Sequence, residues 1–193
     1  MQPWAAKRCD AIGCGKGQLG RAVDDSMDPY ITSCAPFGIP RLMNHVGPFE
    51  ILQTPGRVLM LFETGNSQRQ IWTDGRGHPA DLDSTWMGNS IGHWETDTLV
   101  VDTTNFSQEA GFRGASKDLH LVERFSRVDA NTLTYQFTVD DPATWSGKWS
   151  ASIPMTKSDE LIYEYACHER NYGLEGVLKG ARYEDLQKAK TQK

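Results

Sequence analysis

The sequence predicts an all-β chain, an antiparallel meander rolled into a closed barrel, with a β-sandwich as the alternative. Three observations carry that expectation. Runs with period-two alternation recur from Pro48 onward, turn residues punctuate them at short intervals, and no helix-period run appears before the tail.

Taken in order, Phe49 to Thr54 and Arg57 to Thr64 flank Pro55-Gly56, the residue pair of a type II turn. Arg69 to Asp74 follows Gly65-Asn66. Ser90 to Glu95 and Thr98 to Phe106 flank Thr96-Asp97. His120 to Val128 and Thr132 to Asp140 surround Asp129-Ala130-Asn131. Trp145 to Lys157 and Leu161 to Arg170 are joined by Ser158-Asp159-Glu160. That makes about nine strands in hairpin order. Leu133, Tyr135, Phe137 and Val139 share one face, against Thr134, Gln136 and Thr138 on the other. Closure is the simplest way to remove two exposed edges. A short solvated helix is expected over Tyr183 to Lys190. The whole chain, 1–193, reads as one domain: a loop-rich wrap over 1–47, a barrel body over 48–170 and a tail over 171–193.

Composition narrows the functional classes. At 193 residues the chain can bury roughly 70% of its unfolded surface, enough for a core that holds a cavity. The net charge of -5, without a basic stripe, argues against a nucleic-acid partner. No apolar run approaches the ~20 residues of a membrane span. Oligomeric state has no signature here. Gly13 to Gly20 is glycine-rich, but no strand precedes it and no Lys-Ser/Thr ends it, so it is not a phosphate loop.

The four cysteines, Cys9, Cys14, Cys34 and Cys167, lack metal-site spacing. Among three connectivities, Cys9–Cys14 with Cys34–Cys167 is the preferred pairing, against four idle thiols. Disulfides imply a secreted or periplasmic protein. Met1-Gln2-Pro3-Trp4 has neither the charged nor the apolar part of a leader, so the expectation is export with the leader already removed.

The chemistry is densest between Ile71 and Phe106. The connection from Gly75 to Gly88 is long for a hairpin, and such loops often carry function. Asp74, Arg76, His78 and Trp86 there have the mix that orients a polar ligand at a barrel mouth. Asp74 is equally suited to starting a turn, and Asp81 and Asp83 to capping a helical turn over Thr85 to Gly88. His93 shares a face with Ile91 and Glu95. If that face is internal, the imidazole needs a partner, and Asp102 on the neighbouring strand supplies one. Such a pair supports acid–base work or simply satisfies a core. His78, His93, Asp74 and Asp102 are therefore the candidate catalytic set, with Arg76, Trp86, Glu95, Tyr163 and Glu50 as candidate substrate contacts. No metal and no cofactor is expected: the histidines lack short metal spacing, and neither a Gly-x-Ser-x-Gly elbow nor His-Glu-x-x-His occurs. Asn105-Phe106-Ser107 matches a glycosylation acceptor.

The blocks Thr73-Asp74-Gly75-Arg76, His78-Pro79, Thr85-Trp86-Met87-Gly88, Ser90-Ile91-Gly92, Trp94-Glu95 and Asp97 to Thr103 resemble a bacterial family of secreted or periplasmic hypothetical proteins. The likeness extends to Cys34, Pro36 to Arg41, Pro48-Phe49-Glu50, Glu164 and Cys167, covering most of Cys34 to Arg170. Where this chain has Asn89 and His93, that family often has His and Arg, so Asp74, Arg76, His78, Trp86, Glu95 and Asp102 are the matching polar residues. The resemblance implies export and architecture, with no reaction attached.

Three functions compete. The first is a metal-free lyase, isomerase or hydrolase acting on a small oxygenated organic molecule, with His78 or His93 moving protons and Arg76 holding an oxygen. The second is a non-catalytic cup for a lipophilic ligand, calycin- or lipocalin-like in general architecture. The third is a carbohydrate-binding module with Trp145 and Trp149 as a stacking platform. The polar density between Asp74 and Glu95 favours the first, because an apolar cup has no use for it.

Overall fold

The computed structural model describes residues 2–3, 34–45, 47–110, 112–166 and 172–191. Within them the chain is all-β apart from short 3-10 turns and one helix. Eight strands form one sheet in sequence order: β1 (Phe49–Thr54), β2 (Arg57–Phe62), β3 (Gln68–Trp72), β4 (Asn89–Glu95), β5 (Thr98–Thr104), β6 (His120–Arg127), β7 (Thr132–Asp140) and β8 (Trp149–Thr156). The sheet curls into a half-barrel, with β1 and β8 as its two edges.

Local chemistry explains the hairpins. Gly56 has φ +75°, as position i+2 of a type II turn requires, and Thr54 pairs with Arg57 around it. Six of the seven pairings are antiparallel. The exception is β3 with β4, which run parallel through Ile71↔Ser90 and Trp72↔Ile91. Parallel neighbours need a long crossover, and the segment 73–88 provides it.

One face of the sheet is packed. Val58, Met60, Phe62, Ile71, Leu99, Val101, Leu121, Phe125, Tyr135, Phe137 and Val139 point into it, alternating with the residues of the other face. Phe37, Ile39, Leu42 and Met43 cover that core from one side, and Phe106, Phe112, Ala115 and Leu119 add to it. Gly38 (φ +67°) makes the first cover possible, since a Cβ there would lie 2.6 Å from the Trp86 carbonyl oxygen. Trp145 and Trp149 pack on this core edge to face, their planes 69° apart, so they do not form the flat platform of the carbohydrate-module reading.

The sheet is not closed, and one of its edges is blunted by sequence. Proline at position 154 removes a donor from β8. Beyond β8, where a ninth strand is expected, 161–166 forms no strand. Side chains hold it instead. Tyr163 N donates to Glu63 Oε2 (2.9 Å), while Asn66 Oδ1 accepts from Tyr165 N (3.1 Å) and Asn66 Nδ2 donates to Tyr165 O (2.9 Å). Asn66 thus imitates a neighbouring strand, tying the far end of the chain to the turn after β2. The tail helix α1 (Tyr172–Thr191) is longer than the expected Tyr183 to Lys190 and largely exposed.

Cys34 is disulfide-bonded. Cys9, Cys14 and Cys167 lie outside the described residues, and with them both expected pairings and the glycine-rich Gly13 to Gly20 segment.

Candidate functional site

Two polar clusters occupy opposite faces of the sheet. The first is internal. Arg69 and Glu123 are 1% and 0% exposed and form a two-point ion pair, Nη1 to Oε1 (3.0 Å) and Nη2 to Oε2. Arg69 also donates to Ser90 Oγ (3.2 and 3.1 Å) and Thr103 Oγ1 (2.9 Å), and Tyr135 Oη donates to Glu123 Oε1 (2.8 Å). Burial, reinforced by the Glu123 charge, pushes the Tyr135 hydroxyl pKa well above its usual value, so it remains a donor. Every member is bonded to another.

The second cluster lies on the outer face. Asp102 sits mid-strand on β5, where its cross-strand neighbours are Ile91 on β4 and Val122 on β6. Its Oδ1 accepts from His78 Nε2 (2.9 Å) and its Oδ2 from His120 Nε2 (2.8 Å). His78 comes from the crossover, and its Nδ1 lies 2.7 Å from Asn89 Oδ1 on β4. His120 opens β6. The carboxylate only accepts, so both imidazoles present an Nε2–H to it, which leaves a neutral His120 ring its lone pair on Nδ1. Nδ1 has no hydrogen-bond partner among the described residues, and the ring is 38% exposed. Burial raises the Asp102 carboxyl pKa, but the bonds from His120 and His78 more than reverse this, holding it below the usual carboxylate range.

Local packing delivers His78 there. Asn105 Nδ2 donates to Leu82 O and Asp83 O (both 3.1 Å), and Thr85 bridges to Phe106, pinning the crossover beside β5. The amide of the glycosylation triplet is thereby engaged. Gly88 (φ +68°) lets the crossover end 2.6 Å, measured from an added Cβ, off the Thr104 carbonyl. Asp81 and Asp83 are exposed and cap no helix.

The other expected site residues lie apart from this cluster. His93 is on the outer face, not inside, 66% exposed, opposite Val100 and 3.3 Å from Glu95. Glu95 also accepts from Arg124 (2.8 Å); that bond, then the one from His93, lowers its carboxyl pKa. Asp74 binds Arg76 through both oxygens, chiefly depressing its own pKa, and the guanidinium lies 3.6 Å over the Trp72 ring. Trp86 is half-buried, with its carbonyl against Gly38. Glu50 is exposed on β1, and Tyr163 is 65% exposed beside Glu63. The expected interior row of ionisable groups is therefore external. The interior is filled by apolar side chains and by a different charged pair.

Sequence reasoning missed His120, Asn89, Arg69 and Glu123. A signal existed for one: Glu123 interrupts the apolar row Leu121, Glu123, Phe125, which demands a buried counter-charge. Among the described residues no group of His, Cys, Asp and Glu is arranged to hold a metal ion, and no helix is long and apolar enough to cross a membrane. No protein-family model matches the chain, and no curated protein or solved structure matches it.

Proposed function

We propose that the chain is an exported enzyme performing general acid–base chemistry on a small oxygenated organic molecule, as a lyase, isomerase or hydrolase. His120 moves the proton, and Asp102 and His78 position it. One observation carries this reading: the His120 ring is held at Nε2 by a carboxylate while its Nδ1, on an accessible face, has no partner among the described residues. In that arrangement Nδ1 takes a proton from a substrate O–H or activated C–H, and Asp102 stabilises the resulting imidazolium. The same proton then returns to a second substrate atom. His78 has contacts at both ring nitrogens, so it braces Asp102 from the opposite oxygen. The disulfide at Cys34 supports export, because such bonds persist in oxidising compartments.

The test incubates the full chain with lactones, phenolic esters and sugars and follows product or solvent-deuterium uptake by proton NMR. For any compound turned over, His120→Ala and Asp102→Asn are each expected to lower kcat by about 100-fold or more, the scale of a lost acid–base group. His93→Ala is expected to leave it within about threefold, as for a group outside that chemistry. Unchanged kcat in both of the first two variants overturns the reading.

A further inference from the structure

We infer that an outer-face groove beside His120 seats a neutral polyhydroxylated molecule, a sugar or polyol, with one end presented to the His120–Asp102 pair. This rests on the acid–base reading above and adds to it the class of substrate.

The groove has a volume of about 320 Å³ and its side-chain lining is Val122, Arg124, Gln136, Thr138, Ser150 and Ser152. Small-molecule sites span about 300–1,000 Å³, so it holds a molecule of one or two rings. Cross-strand register places it. Val122 is opposite Asp102 on one side and Thr138 on the other, and Thr138 is opposite Ser150. Arg124, Gln136 and Ser152 form the next row. His120 precedes Val122 by two residues on the same face, roughly 7 Å along the strand. A ligand lying across the Val122 row therefore ends beside Asp102, whose carboxylate holds His120 Nε2.

The lining selects the chemistry. Three hydroxyls and a carboxamide both donate and accept hydrogen bonds, matching the two-way demand of a polyol. Thr138 Oγ1 and Ser150 Oγ already lie 2.8 Å apart as a linked pair. Arg124 is the one charged residue of the lining, and its Nη2 is bonded to Glu95 Oε2 at 2.8 Å. Its charge is compensated, so an anion gains no unmatched cation. Val122, Phe137 and Ala151 supply the apolar part of the lining, and the hydroxyls and carboxamide its hydrogen-bonding part.

The experiment titrates the full chain with sorbitol, methyl glucoside and cellobiose as neutral probes, glucuronate as an anion and decanoate as a lipid, read by amide chemical shifts and calorimetry. Saturable binding of a neutral probe is expected, with shifts centred on Thr138, Ser150 and Ser152. Thr138→Val and Ser152→Ala should each weaken it by about fivefold, the equivalent of one lost hydrogen bond. Ser152 lies on an edge strand, so its variant keeps the test intact if Thr138→Val fails to fold. Tighter binding of glucuronate or decanoate than of every neutral probe overturns the inference. So does the absence of saturable binding at the groove, or unchanged affinity in Ser152→Ala. Failure of the two claims is separable. A bound polyol that is never transformed removes the acid–base role and leaves the polyol site. Turnover of a substrate that ignores the groove variants, yet needs His120, does the reverse.

Discussion

The two polar clusters on either face of the sheet are each built around a carboxylate and differ in completeness. On the core face, the side chains of Arg69, Glu123, Ser90, Thr103 and Tyr135 are buried and bond to one another. On the outer face, Asp102 collects two histidines, and one of them has a ring nitrogen without a partner among the described residues. A closed network has nothing left to offer a substrate. Its energetic role is to keep a buried charge matched while the sheet curls around it. An open one, half in solvent, gains little stability from its ion pairs, which is the ground for proposing chemistry there. Saturation of donors and acceptors, as well as residue type, separates the two clusters in this fold.

Three experiments press on that contrast. The largest effect belongs to the core. Glu123→Ala strands a buried guanidinium and is expected to cost about 3–5 kcal/mol in urea unfolding, whereas replacing Arg69 and Glu123 together by Met and Leu should restore most of it. If the single variant is neutral, the core network is not what keeps the charges matched. Next comes Tyr135→Phe, which removes one hydrogen bond to a carboxylate, for about 1.5–3 kcal/mol. The smallest effect lies outside. Asp102→Asn should change stability at pH 7 by no more than about 1 kcal/mol, as half-exposed pairs do. Its pH dependence has a definite sign. The folded carboxyl has a lowered pKa, so its contribution is present above the unfolded value near 3.9 and is lost as pH falls through the folded one. The gap between wild type and Asp102→Asn should therefore hold from neutral pH down to about 4 and close below it. A gap that persisted below the titration of the folded carboxyl would break the assignment of Asp102 as the ionised partner of both histidines.

Much of the architecture was legible in advance because its causes are local. Pro55-Gly56 sets its own turn, and Leu133 to Val139 announces its own two faces. The strands from Phe49 to Asp140 form within a residue or two of where alternation places them. Trp145 to Trp149 does not, because Asp141 turns the chain there, accepting from Ser116 N (2.6 Å) and Thr144 Oγ1 (2.7 Å). Leu161 to Ala166 has the alternation of a strand but reaches a side-chain clamp instead of a backbone edge.

The candidate site was half legible. His78 and Asp102 stood out by type and setting, but their meeting with His120 depends on register across β5 and β6 and on where a long crossover lands. Neither is encoded in any single run of residues.

Alternation also states that a strand has two faces without stating which one is inside. On β4 the apolar Ile91 lies outward and Ser90 inward, because Arg69 needs that hydroxyl where the core closes. The amino-acid order thus determined the strands, their turns and the division of side chains between faces, all of which follow from backbone geometry over a few residues. Only the folded sheet decided which face was buried and which distant groups became neighbours, since those outcomes come from matching buried charges and packing volume across the whole chain.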